Sequence, residues 1–485
     1  MKKFLLGIAT LVTMAIICVV SASAETNGDY TYTVLSDGTV SITKYNGTAT
    51  ELAIPSVIDG KTVTTIGENC FSNNASLTSI VMPDTVLYAE KGAFMWCSKL
   101  TNITLSANLK TLGNNALRGN SLITSLKLPK TLESIGVDAF SLMKGLQSIT
   151  VADDNNYFKT VDDVLYNKEM TQIILYPCQK TSTSYTMPDT VTEMSDKCFE
   201  YAKNLETITL SKNLTAISRY AFSDCRKLKS LTIPEGVTSI GEYAFKQSSA
   251  LTTVHLPSTL TTIGDPLFFN NFHFTGLTIN ENNETFSVED GILFNKDKTQ
   301  LLIYPMGKPD KSYAVPESVT DIADHAFYYA AYIEKLSFGS KLNSFGNWTF
   351  SGCDSLTEVV IPESLTDFGR ATFDGCDNLT EITIPSKVTK LSDYTFRDCK
   401  KLAKIEIKGT IKEILSYCFS GTPITSISFP SGLEKVDYGA FYNCSNLTDV
   451  NLPDTIVYMG HDVFEYTPFQ NNNPDKLKYA GNVLY

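Results

Sequence analysis

Apolar positions recur along this chain with a period far longer than that of a helix or a strand. Phe71, Phe94, Leu117 and Phe140 stand 23 residues apart, as do Phe199, Phe222, Phe245 and Phe268. The beat returns at Phe327, Phe350, Phe373, Phe396 and Phe419, then at Phe441 and Phe464, with one spacing of 22. The two gaps, Phe140 to Phe199 and Phe268 to Phe327, are both 59, so each holds one ordinary period and an insert of 36. Around each beat the chain reads L-T-x-I-x-L-P-x-x-[VL]-x-x-I-G-x-x-A-F-x-x-C, as in Leu228, Leu231, Ile233, Pro234, Val237, Ile240, Gly241, Ala244 and Phe245.

This pattern predicts a coil. Leu228, Leu231 and Ile233 face inward from a short strand and its approach, and Thr and Ile suit a pleated strand. Pro234 ends the strand because it cannot donate to a parallel ladder. Gly241 allows a tight bend, and Phe245 fills the space between the two sides of the coil. One such unit cannot bury its own apolar face, whereas stacked units bury it continuously. The predicted fold is therefore a β-rich solenoid of leucine-rich-repeat type. It is a right-handed curved stack of about fifteen 23-residue repeats with a parallel sheet on one face. At roughly 4.8 Å per strand, such a sheet runs for about 70 Å.

The remaining segments fit this frame. Residues 30–47 alternate apolar and polar around Asp37-Gly38, a hairpin signal, and read as a cap within residues 25–53. The stack then occupies 54–485, with inserts at about 150–185 and 278–313. The inserts match at an offset of 128: Val164-Leu165-Tyr166-Asn167-Lys168 lies over Ile292-Leu293-Phe294-Asn295-Lys296. Each reads as a β-hairpin turning near Asn-Lys and projecting from the stack. Residues 471–485 resemble the start of a third insert that stops midway, which predicts a fragment or a truncated gene.

Residues 1–24 stand apart from the fold. Lys2 and Lys3, the mostly apolar run Phe4–Val20 and the small residues Ala22-Ser23-Ala24 form a secretory signal peptide cleaved after Ala24. The mature chain has no later stretch near the ~18 apolar residues of a transmembrane segment. The expected location is the medium or the extracellular cell surface. With 43% hydrophobic residues the chain can bury a large core. Its formal charge of −12, with no basic stripe, excludes nucleic acid as an expected partner.

The units L-T-x-I-x-L-P and I-G-x-x-A-F-x-x-C, with the V-L-Y-N-K hairpin inserts, resemble the BspA-type leucine-rich repeat family of bacterial surface proteins. The resemblance covers about residues 50–485. It implies a curved solenoid, export, and frequent roles in adhesion to host proteins or other cells. It brings no catalytic residues and no particular ligand.

Candidate chemistry is sparse. Ten cysteines follow Cys18; six, among them Cys97 and Cys353, sit three residues after a beat, and Cys70, Cys198 and Cys418 immediately before one. Their positions point to reduced core residues rather than disulfides, since side chains stacked in register run parallel. The four histidines show no paired spacing and no C-x-x-C occurs, so no metal site and no cofactor are expected. The stretches Asp153–Asn156 and Asn280–Asn283 could hold calcium, but equivalent places at the start of both inserts favour polar turns. There is no G-x-S-x-G and no phosphate loop, and the chain reads as not an enzyme.

One positional clue points to a ligand. On the outward face of the L-x-x-I-x-L strands the residues are mostly neutral at first. From Lys335 onward they are charged: Lys335, Glu358, Glu381, Lys404, Glu406 and Asp449. They read either as a docking patch or as an ordinary solvated face with cross-strand Lys–Glu pairs. The functional expectation is a binding or adhesion module for an extracellular protein or glycan, such as host matrix or another cell surface. The alternative is a structural spacer in a larger exported protein.

Overall fold

The computed structural model describes residues 24–429 and 431–472. The signal-peptide reading and nearly all of the third insert lie outside them. The chain divides into two compact units, residues 1–160 and 161–485. Each is a β-solenoid, and the only helix among the described residues is Pro468–Asn472.

The repeat motif makes two strands per turn rather than one. In the second unit Ser230–Thr232 pairs in parallel with Thr253–Leu256, Ser230 opposite Thr253. Nine residues on, Ser239–Ile240 pairs in parallel with Thr262–Ile263. The expected sheet on one face is thus accompanied by a second parallel ladder. In the ordinary repeats its strands are only two residues long, too short for alternation to reveal them.

A third ladder runs through the turn that carries the beat. In the uninterrupted runs of turns, such as Phe327 to Phe441, the N–H groups at −2, 0 and +2 relative to the Phe donate to carbonyls of the next turn. Tyr394 donates to Ser416 (2.9 Å), Phe396 to Cys418 (2.8 Å) and Asp398 to Ser420 (2.8 Å). The N–H groups between them bond back within their own turn, as Arg397 does to Tyr394 (3.1 Å). This alternation requires left-handed backbone at −2 and +2, with φ of 59° at Tyr394 and 56° at Asp398. Asn, Asp and Gly, which tolerate that region best, fill many of these places, among them Asn69, Asn73, Asp138, Gly352 and Gly375.

Gly241 acts differently from the expected bend. A Cβ there would lie 2.6 Å from the Arg219 nitrogen, so glycine is required because successive turns approach too closely. Gly346 and Gly369 meet the preceding turn in the same way, at 2.4 and 2.2 Å.

The beat residues form the core. All are buried, and Phe350 stacks on Phe373 at 5.1 Å, Phe373 on Phe396 at 5.7 Å and Phe396 on Phe419 at 5.4 Å. The count of fifteen is corrected by three tyrosines. Tyr304 stacks on Phe327 at 4.7 Å, Tyr176 on Phe199 at 5.1 Å, and Tyr45 packs on Phe71 at 5.3 Å. Tyr176 and Tyr304 donate their N–H groups to the next turn like any beat residue (both 2.7 Å). Each 36-residue insert is thus a lengthened turn ending on a tyrosine beat, which gives about 18 turns. The extra length is a hairpin: Ile292–Asn295 pairs antiparallel with Gln300–Ile303, which pairs in parallel with Asp321–Ile322. Val164–Asn167 and Gln172–Leu175 form the same hairpin in the first insert.

At the N-terminal side Tyr30–Val34 and Val40–Tyr45 form the expected hairpin. The second of these strands joins Lys61–Ile66 in parallel and so starts the second-face ladder.

Candidate functional site

The six charged positions on the strand face all lie in the second unit and are exposed. Parallel pairing in register sets Lys335 opposite Glu358, Glu381 opposite Lys404 and Asp449 opposite Ser426. Lys335 Nζ lies 2.7 Å from Glu358, and Lys404 Nζ 3.0 Å from Glu381. Glu406 accepts a hydrogen bond from Thr383 Oγ1 at 3.2 Å. The bonds to Glu358 and Glu381 raise the pKa of Lys335 and Lys404 respectively. The structure thus brings the six onto one face, four of them as two longitudinal ion pairs. Lys229 with Glu206 (2.7 Å) and Lys311 with Glu334 (2.8 Å) continue the same habit one column away.

The motif also left a groove unannounced. On the second face Gln300, Asp321, Ser344 and Asp367 stand in one rank. With Asp265 and Asp324 they line a depression of about 490 Å3 beside the second hairpin, and no Lys or Arg lines it. Most of its carboxylates already serve the fold. Asp324 accepts from the Asn347 backbone N–H (2.7 Å) and Nδ2 (3.0 Å), and Asp321 accepts from Thr320 Oγ1 (2.7 Å). Asp265 lies 2.8 Å from His325 Nδ1. The signal available in sequence was the 23-residue interval from Asp321 to Ser344 to Asp367, which falls on unspecified motif positions.

The polar stretches at the inserts resolve into staples. The Asn155 amide donates to the carbonyls of Pro129 (3.1 Å) and Leu132 (2.9 Å) and accepts from the Tyr157 and Phe158 N–H groups (both 2.7 Å). Asn283 repeats this with Pro257, Leu260, Thr285 and Phe286. Among the described residues no group of three or more His, Cys, Asp or Glu is placed to hold a metal ion.

All ten cysteines among the described residues are free and buried. Those three residues after a beat have a task that the sequence did not disclose. Cys353 Sγ donates to the Phe327 carbonyl at 3.1 Å, Cys376 to Phe350 at 3.2 Å and Cys399 to Phe373 at 3.1 Å. Where cysteine is absent, the Ser248 hydroxyl and the Asn271 amide supply the donor. The position therefore selects a small buried donor. Burial pushes the Cys97 and Cys353 thiols up to about 12.

Outside the coil a second aromatic column follows the left-handed turn positions. His325 stacks on Trp348 at 5.3 Å, the Arg370 guanidinium lies 5.4 Å from Trp348 and 5.1 Å from Tyr394, and Tyr394 stacks on Tyr417 at 5.6 Å.

Among the described residues no helix is long and apolar enough to cross a membrane. A search of curated proteins finds no match. Among solved structures, a leucine rich cell surface protein from Faecalibacterium prausnitzii is 25% identical, with 92% of this chain and 98% of that one covered and a TM-score of 0.47. A leucine-rich repeat protein from Bacteroides ovatus is 23% identical over 90% of this chain and 99% of its own, with a TM-score of 0.35. The pneumococcal vaccine antigen PcpA is 19% identical over 86% and 94%, with a TM-score of 0.34. The family profile described as the BspA type leucine rich repeat region matches residues 45–167, 171–290, 310–422 and 366–482. With the repeat so matched along most of its length, the chain belongs to the BspA type leucine rich repeat family.

Proposed function

We propose that the chain is an exported binding module, held at the cell surface or released from it. It docks an extracellular protein or glycan across the open strand face of its second unit. The observation that carries this reading is the placement of Lys335, Glu358, Glu381, Lys404, Glu406 and Asp449. All six are exposed on one face of the second unit's strands. Their ion pairs are solvent-exposed, and such pairs exchange partners at little cost. Charges of this kind set register and encounter rate with a partner of complementary pattern. The signal-peptide pattern of residues 1–24 supports export. The role is contact rather than turnover, and no catalytic group is assigned.

The test is an array of matrix proteins and glycans probed with the full chain and with the triple variant Glu358→Ser, Glu381→Ser, Lys404→Ser. Loss of signal on the same spots supports the strand face. A triple variant that binds every spot as the parent does discards it.

A further inference from the structure

Four tyrosines from three successive turns of the second unit converge on the outside of the coil, away from the strand face. Tyr417 and Tyr438 meet edge-to-face at 5.1 Å and 87°, Tyr417 and Tyr442 at 5.9 Å and 73°, and Tyr442 and Tyr466 at 5.2 Å and 89°. They gather where the beat shortens to 22 residues, between Phe419 and Phe441. Where rings stack face on face, as Tyr220 does on Tyr243 at 4.9 Å and 10° and Tyr394 on Tyr417 at 5.6 Å and 7°, they cover each other's faces. In an edge-to-face contact only one of the two rings gives up a face. Tyr438 and Tyr466 are 40% and 61% exposed, so this is an open aromatic platform rather than a core extension.

The polar groups around the rings narrow the ligand. The beat-turn ladder sets Asp462 and Glu465 on the turn next to Tyr438 and Tyr442, with the Gly439 N–H donating to the His461 carbonyl (3.0 Å) and the Asn443 N–H to that of Glu465 (2.8 Å). Among the described residues no Lys or Arg pairs with Asp462 or Glu465, and their charge disfavours an acidic ligand. A protein hot spot is usually a desolvated pocket filled by an anchor side chain. Here the Tyr438 and Tyr466 rings and the Asp462 carboxylate are exposed together on neighbouring turns.

We propose that Tyr417, Tyr438, Tyr442 and Tyr466 form a platform for a neutral polysaccharide. The weakly positive C–H face of a pyranose lies on the negative faces of Tyr438 and Tyr466. Its hydroxyls donate to Asp462 and Glu465 and exchange bonds with the phenols. At a rung spacing of ~4.8 Å, three turns span ~10 Å, about two sugar units. This inference rests on the reading of the chain as a binding module, but it uses a different surface from the charged strand face.

The test is native gel electrophoresis of the full chain through gels containing soluble mixed-linkage β-glucan, galactomannan or amylopectin, with hyaluronan as the acidic control. The parent is expected to be retarded by at least one neutral polymer and not by hyaluronan. The double variant Tyr438→Ala, Tyr466→Ala should bind at least tenfold more weakly. Tyr438→Phe, Tyr466→Phe, which keeps the ring faces, should stay within about threefold. The triple Ser variant of the strand face should be retarded like the parent, which separates failure of the platform from failure of the docking reading. No retardation by any neutral polymer, preference for hyaluronan, or unchanged retardation of the double Ala variant would overturn the proposal.

Discussion

Removing one ring from the middle of the phenylalanine column offers a strong test of how the solenoid is held. Phe373 is fully buried and lies 5.1 Å from Phe350 and 5.7 Å from Phe396. Phe345 and Phe368 also abut it, at 6.1 and 6.2 Å. Phe373→Ala deletes a ring whose neighbours are pinned by the ladders above and below, so little collapse can fill the space. A cost of about 3–5 kcal/mol is expected. In a stack, stability is a sum of turns and junctions, so the loss should fall on the two junctions beside the ring and split a single urea transition into two. Phe373→Leu should cost much less, about 1–1.5 kcal/mol, because a smaller apolar group fills most of the volume. Leu117 already occupies this slot in the first unit, fully buried. Urea unfolding followed by fluorescence of Trp348, in the preceding turn, reads both variants, and hydrogen exchange shows which turns open first. If Phe373→Ala lost less than about 1 kcal/mol, or no more than Phe373→Leu, the column would be a passenger of the backbone ladders rather than their support.

Four further outcomes follow from other features. Ellman's reagent at pH 8 should label fewer than one of the ten cysteines between Cys70 and Cys444 in the folded chain and all ten in urea, since burial holds these thiols protonated. The folded values lie above the ordinary value near 9 at nine of these cysteines, Cys353 and Cys376 among them. Stability is therefore fully present below pH 9 and should fall steeply above it, by up to about 1.4 kcal/mol per pH unit for each thiol; a urea midpoint that stays level from pH 8.5 to 10.5 contradicts this. Cys353→Ser should be nearly neutral and Cys353→Ala should cost about 0.5–1.5 kcal/mol, because only the alanine removes a donor from the Phe327 carbonyl, which keeps its bond from the Ala330 N–H (2.9 Å); thermal melts of the two variants decide. Gly346→Ala should destabilise by about 1–3 kcal/mol, since the new methyl would sit 2.4 Å from the Asp324 nitrogen, and a melting temperature equal to that of the parent would refute the close-approach reading.

Much of the architecture could be read from spacing alone. A phenylalanine every 23 residues forces a stack, and Leu228, Leu231 and Ile233 fix which strand residues face inward. What escaped lies in positions that tolerate many residues. The third ladder depends on left-handed backbone at −2 and +2, where Asn69, Tyr394, Trp348 and Gly375 share no side-chain chemistry, so no motif letter marks it. The second-face strands are two residues long, as at Ser239–Ile240, below the length at which a period of two is visible. The three missed turns were hidden because Tyr45, Tyr176 and Tyr304 replace phenylalanine and follow irregular spacings. Of the candidate surfaces, the charged strand face was legible because strand alternation says which residues point outward. The acidic groove and the tyrosine platform were not, since both arise between turns, from columns that the motif leaves unspecified.

The beat-turn ladder is directional. From Phe327 to Phe441 the donors at −2, 0 and +2 point onward to the following turn, and the acceptors at −3, −1 and +1 point back. Each turn within such a run is polar along the stack, with beat-turn N–H groups on its onward side and carbonyls on its rear. Neighbouring turns satisfy each other only in the same orientation, donors to acceptors. A repeat gained or lost by duplication or deletion therefore keeps the sense of the coil, and a turn added in reverse would set its N–H groups against those of its neighbour.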